Sequence, residues 1–132
     1  MKTQNLFKGL VLMAFLTVIV ITGCSKNDSI TGPNTQVTFP ISQRQGQNGG
    51  TQFLFKPSAN TKISRIVSNY PAQQFADTLN FGNPNYVYSK DTTYIINEYI
   101  NVTPGQQWKF DFTGQVNGGN SNYSVTSNYT VQ

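Results

Sequence analysis

From Val37 to Gln132 the apolar residues recur with a period of two, the mark of half-buried strands. Val37, Phe39 and Ile41 fall on one face of a first segment. Pro40 falls on the other and cannot donate to a ladder, so this segment is expected at a sheet edge. "TQFLFKP" (residues 51–57) points Phe53 and Phe55 inward. "TKISRIVSNY" (61–70) is a longer, less regular strand around Ile63, Ile66 and Val67, and "FADTLNF" (75–81) aligns Phe75, Leu79 and Phe81. Two further strands are expected in "YVYSK" (86–90) and "TYIINEYINV" (93–102). In the latter, Tyr94, Ile96 and Ile100 share one face, and Ile95, Asn97 and Tyr99 the other. Trp108, Phe110 and Phe112 alternate with Lys109, Asp111 and Thr113 more regularly than anywhere else in the chain. Tyr123, Val125, Tyr129 and Val131 then share a face of the last strand. Asn117-Gly118 is a type I′ hairpin signal between these two strands, in a loop that looks longer than two residues.

Turn-rich stretches at 43–50, 57–60, 82–85 and 103–107 separate the runs, and no segment carries a helical stripe. Seven or eight strands in the 96 residues from 37 to 132 predict one all-β domain, an antiparallel β-sandwich. Residues 25–36, "SKNDSITGPNTQ", have no periodicity and are broken by Gly32-Pro33-Asn34, as expected of a flexible tether. Ahead of them an apolar run from Leu10 to Ile21 follows a start carrying Lys2 and Lys8. It is well short of the roughly 20 residues that cross a hydrocarbon core, and its basic start and small polar end fit an export signal.

The end of that run, Ile21-Thr22-Gly23-Cys24, resembles the lipobox of bacterial lipoproteins: an aliphatic residue, a small residue, Gly or Ala, then cysteine. The resemblance implies cleavage between Gly23 and Cys24, a diacylglyceryl thioether on the Cys24 sulfur, and often a further acyl chain such as palmitate on the new amine. Two or three chains, at roughly 0.8 kcal/mol per buried methylene, anchor a protein stably where one would not. The expected organisation is therefore a signal peptide over 1–23, a lipidated Cys24 with a tether through residue 36, and a sandwich over 37–132. Ser25, where aspartate would favour retention at the inner membrane in the family resembled, points to the outer membrane, on its periplasmic or surface face. Ser25-Lys26-Asn27-Asp28 is similar in part to the surface-export signals of Bacteroidota lipoproteins, with a single acid.

The segments "TPGQQWKFDFTG" and "NYSVTSNYTVQ" resemble the last two strands of bacterial Ig-like and PKD-like domains, which implies an Ig-like sandwich. The chain departs from true immunoglobulin domains in lacking a cysteine pair and in placing Trp108 late, which leaves the strand order open.

Composition narrows the function. The formal charge of +4 includes Lys2 and Lys8; without them seven basic residues face five acids, and they are scattered, with Lys56, Lys62 and Arg65 the densest group. Nucleic-acid binding wants a clustered basic stripe, so no such partner is expected. The chain has no histidine, and its only cysteine is the expected anchor. That removes Ser-His and Cys-His nucleophile systems and the common zinc sites, and "NGGNSN" offers a calcium ion no carboxylate. Asp77, Asp91, Glu98 and Asp111 are spread over different strands or turns and read as solvated strand positions. Neither catalytic residues, a metal nor a cofactor is expected.

The expected function is that of a small, monomeric, non-catalytic envelope lipoprotein whose sandwich serves interaction or structure, with envelope proteins or glycans as partners. The alternative is a surface glycan-binding module. It would use outward tyrosines, for which Tyr70, Tyr86, Tyr88 and Tyr99 are the candidates, with Asn83, Asn85, Asn97 and Asn101 nearby. A hydrolase is the remote third reading, and would require two of the four acids to meet in a cleft.

Overall fold

The regular alternation of Trp108, Phe110 and Phe112 with polar residues produces one long strand with a wholly buried aromatic face, and the domain is assembled around it. The structure, a computed structural model, describes residues 36–119 and 121–132. The expected signal segment, the expected Gly23/Cys24 cleavage and lipid-attachment site, and the expected tether up to residue 35 lie outside the described residues. Seven strands follow in order: β1 (Ile41–Gln45), β2 (Thr51–Phe55), β3 (Thr61–Tyr70), β4 (Phe75–Asn80), β5 (Tyr94–Tyr99), β6 (Gln107–Val116) and β7 (Asn122–Thr130). One 3-10 turn, Pro71–Gln73, joins β3 to β4.

The strands form two antiparallel sheets, ordered β1-β2-β5 and β4-β3-β6-β7. Their apolar faces pack as a sandwich. A constant-type immunoglobulin domain keeps its fourth strand in the same sheet as its first, second and fifth; here β4 lies beside β3 in the other sheet instead. The core is largely aromatic. Phe39 stacks on Phe112 with ring centroids 4.0 Å apart, Phe55 meets Phe112 edge-on at 5.2 Å, and Phe53 packs against Phe110 and Trp108, each at 5.1 Å. Gly114 of β6 admits no side chain, because a Cβ there would collide with the Lys62 carbonyl oxygen and the Tyr123 ring.

Several local expectations are corrected. The ladder of β1 begins at Ile41. Val37 and Phe39 are nevertheless buried, running beside residues 56–58 through Lys56 N–H to Pro40 O and Ser58 N–H to Thr38 O. β1 is an edge strand, as Pro40 implied. The expected strand at 86–90 is absent. Two turns close on it, Tyr86 N–H to Asn83 O and Thr92 N–H to Ser89 O, leaving only a two-bond bridge between Tyr88 and Thr61.

Two bulges shift side chains between faces. In β3 the register slips at Ser64, so Ile63 and Ile66, three residues apart, both face the core; Ser68 is then inward and Val67 is not. In β5 the partners run Phe53–Asn97 and then Leu54–Ile95, which leaves Ile96 as the extra residue. The slip reverses the parity: Tyr94 lies inward before it and Tyr99 after it, while Ile100 is 72% exposed. At the β6–β7 turn Gly118 has positive φ, 86°, and Asn117 does not. A type I′ turn needs both, so that signal is not realised, and the connection from Val116 to Asn122 is longer than two residues, as expected.

Phe112→Ala should cost about 3–5 kcal/mol, the range for emptying a buried aromatic site. Lys109→Ala, on the outer face of the same strand, should stay within about 0.5 kcal/mol. Urea unfolding followed by the fluorescence of Trp108 measures both.

Candidate functional site

The strands alternate in direction, so the connections gather at two poles. The chain enters at one pole, where residue 36 lies beside Val116, Ser121 and Tyr123, and where Asn117 N–H binds Asn60 O. The opposite pole carries the β1–β2 turn, the Pro71–Gln73 turn and the β5–β6 connection, together with Gln132, which exchanges hydrogen bonds with the Gln43 amide.

At this far pole a recess of about 170 Å³ is lined by Tyr70, Gln73, Phe75, Tyr99, Ile100, Asn101, Gln106 and Trp108. Tyr70 stacks on Trp108 at 5.3 Å and 11°, and Phe75 meets Tyr99 and Trp108 edge-on at 5.6 and 5.8 Å. The Gln106 amide holds the floor together: its Oε1 accepts from Trp108 Nε1–H at 3.1 Å, and its Nε2 donates to Asn101 O at 3.2 Å. Gln74 and Asn101, with φ of 54° and 59°, are the non-glycine residues of left-handed backbone among the described residues, and both flank this recess. Phe75 is 40% exposed at its rim.

The four tyrosines singled out in the sequence are thus divided. Tyr70 and Tyr99 line the recess. Tyr86 and Tyr88 lie in a separate cluster with Tyr94 and Phe81, at the pole where the chain enters. Tyr88 is 8% exposed and Tyr86 48%. No single row of tyrosines results. Of the nearby asparagines, Asn101 borders the recess and Asn97 points to Asp77. The residues that sequence reasoning missed at the recess are Gln73, Phe75, Ile100 and Gln106. The parity reversal at Ile96 is what turns Tyr99 inward and Ile100 outward, and period-two counting does not detect it.

The acids are held apart by separate duties. Asp77 lies on the inner side of β4, where its Oδ2 accepts from Tyr99 OH at 2.7 Å and Asn97 Nδ2 at 3.0 Å. It is therefore not on a solvated face; it closes the seam between the edge strands of the two sheets. Burial raises the Tyr99 pKa far above the usual phenol value, and neighbouring Asp77 adds to this. Ser68 and Asn97 pull the other way without offsetting it, although the buried Ser68 hydroxyl lacks the geometry of a hydrogen bond. Asp111 accepts from Asn69 and Thr126 on the outer face, and Asp91 pairs with the adjacent Lys90.

Glu98 caps the β1–β2 turn, accepting backbone N–H bonds from Gln47, Asn48 and Gly50 at 2.8 to 3.0 Å. Burial pushes its pKa up, but the amides of Gly50, Asn48 and Gln47 and the Asn48 side chain outweigh this and hold it below the ordinary 4.5. Burial also sends the Tyr123 phenol up to about 12, with its hydroxyl donating to Lys62 O and accepting from Thr61. A wider concavity of about 340 Å³ lies where β4 leaves β3, lined by Lys62, Ser64, Phe81, Pro84, Gln115 and Asn122 among others. Among the described residues no three histidine, cysteine or acidic side chains are grouped to hold a metal ion.

Because the Glu98 pKa is lowered on folding, its contribution to stability is present above 4.5 and is lost as pH falls below that value. Glu98→Gln should therefore melt earlier than the parent at neutral pH, with the difference shrinking to nothing in strong acid. Thermal unfolding of both proteins across the acid range checks this.

The chain matches no protein-family model, no curated protein and no solved structure.

Proposed function

We propose that the chain is a bacterial cell-envelope lipoprotein, anchored through an acylated Cys24 and probing its surroundings with a non-catalytic β-sandwich. The observation that carries this is the run Ile21-Thr22-Gly23-Cys24 at the end of a short apolar segment with a basic start. A thiol is the nucleophile toward the lipid donor, and the small residues before it let a peptidase approach the backbone. The Ser25 position supports sorting to the outer membrane. The two-sheet arrangement supports an Ig-like module, with β4 placed on the β3 side.

The duties of the acids support a role without catalysis. Glu98 is committed to turn amides, Asp77 to the sheet seam, Asp111 to Asn69 and Thr126, and Asp91 to Lys90. A general acid or base needs a carboxyl poised at a reacting atom in a water-restricted site, and these four are distributed over the domain. The protein acts as a monomer without nucleic acid or cofactor, and its partners are envelope proteins or glycans. Glycan binding has one specific observation in its favour: Tyr70 and Tyr99 meet in a single recess with amide side chains.

Cys24→Ala should abolish incorporation of a clickable fatty acid and leave a longer, uncleaved precursor in the cell. Label retained by the variant overturns the anchor. The purified chain should hydrolyse no ester, peptide or glycoside; turnover lost on replacing Asp77, Asp91, Glu98 or Asp111 overturns the non-catalytic reading.

A further inference from the structure

We infer that the recess between the Pro71–Gln73 turn and the β5–β6 connection is a subsite for one neutral pyranose ring of a glycan chain. The inference deepens the interaction-module reading and rests on it.

None of the eight lining side chains carries a charge: four are aromatic, three are amides and one is Ile100. An anion finds no cation there. A cation finds no carboxylate either, because Asp77 is engaged by Tyr99 and Asn97. A neutral pyranose matches this surface on both counts. Its C–H face packs on an aromatic ring, and its hydroxyls, which donate and accept, pair with amides that do the same. The Gln73 and Asn101 side chains make no hydrogen bond among the described residues, whereas Gln106 is spent on Trp108 and on the Asn101 carbonyl. Both residues are exposed, so two amides are unengaged while the third fixes the floor.

The rings are held against one another before any ligand arrives, so little side-chain freedom is lost on binding. About 170 Å³ is less than the several hundred needed to enclose a drug-sized molecule, and suits one ring of a longer chain passing across the pole. Phe75 and Ile100 leave apolar surface on the rim, where a contact would cover it. Gln74 and Asn101 hold left-handed backbone on either side, and such conformations gather at binding sites. The recess also lies at the pole away from residue 36.

Trp108 is the only tryptophan and forms part of the recess, so its emission reports occupancy. The full chain, purified in a polyoxyethylene detergent whose headgroup carries no sugar, is titrated with neutral hexasaccharides of glucose, mannose, xylose, galactose and N-acetylglucosamine. An oligogalacturonate and a hexaproline peptide are titrated alongside. The expected result is a saturable change with at least one neutral hexasaccharide and none with the oligogalacturonate. Asn101→Gly tolerates the left-handed backbone while removing the amide, and should weaken binding about tenfold, the size of one neutral hydrogen bond. Gln73→Ala, on an exposed turn, should weaken it similarly, and Tyr86→Ala, at the other pole, should leave it unchanged. The inference is overturned if no neutral hexasaccharide alters Trp108 emission, if binding survives both amide substitutions at full strength, or if only the hexaproline peptide or the oligogalacturonate binds. Any of these results leaves the lipid anchor standing, and loss of the anchor leaves this titration unaffected.

Discussion

The stack of Phe39 on Phe112 is the contact on which the domain depends. Phe39 precedes the first ladder, and Phe112 sits in the middle of the strand that joins β3 to β7. Bringing the two rings to 4.0 Å ties the entering chain to the four-stranded sheet, and the Ser127 hydroxyl secures the join by donating to the Phe39 carbonyl. Phe55 and Phe53 bring the three-stranded sheet onto the same face, Phe55 against Phe112 and Phe53 against Phe110. A domain of about a hundred residues without disulfides relies on burial of this kind, and large rings remove much apolar area per residue ordered.

The two bulges do different work. The slip at Ser64 lets a strand with imperfect alternation keep Ile63 and Ile66 both inside, which stabilises the sheet. The slip at Ile96 acts on the surface. By reversing the face of everything after it, it sends Tyr99 under the Asp77 seam and leaves Ile100 on the rim of the recess. One inserted residue therefore places the polar closure between the sheets and an exposed apolar group at the far pole. Asp77 has a second consequence. It is an inward-pointing charge on an edge strand, a feature that discourages edge-to-edge pairing with another chain.

Residue 36, where the described domain begins, and the recess lie at opposite poles. The far pole holds the fixed rings and the unengaged amides. Glu98, Asp77 and Asp111, by contrast, are engaged in holding a turn, a seam and a sheet face.

The sequence by itself determined the class of the fold and most of its inward side chains. Period-two alternation is a local property, and where a strand is regular, as from Trp108 to Phe112 or from Tyr123 to Tyr129, burial on one side follows directly. It determined the edge position of β1 through Pro40 and the boundaries of most turns through Gly, Pro and Asn. Only the tertiary structure decided which strands are neighbours, because pairing joins residues far apart in the chain and is settled by the fit of faces. It likewise decided the sheet for β4, the reduction of residues 86–90 to a single bridge, and the separation of the four tyrosines into two clusters. The bulge at Ile96 arises from the register that β5 takes against Phe53 and Leu54 of β2, a partner that lies some forty residues earlier in the chain. The recess is legible only after that register is set, since its walls come from the ends of β3, β4, β5 and β6, which the fold alone brings together.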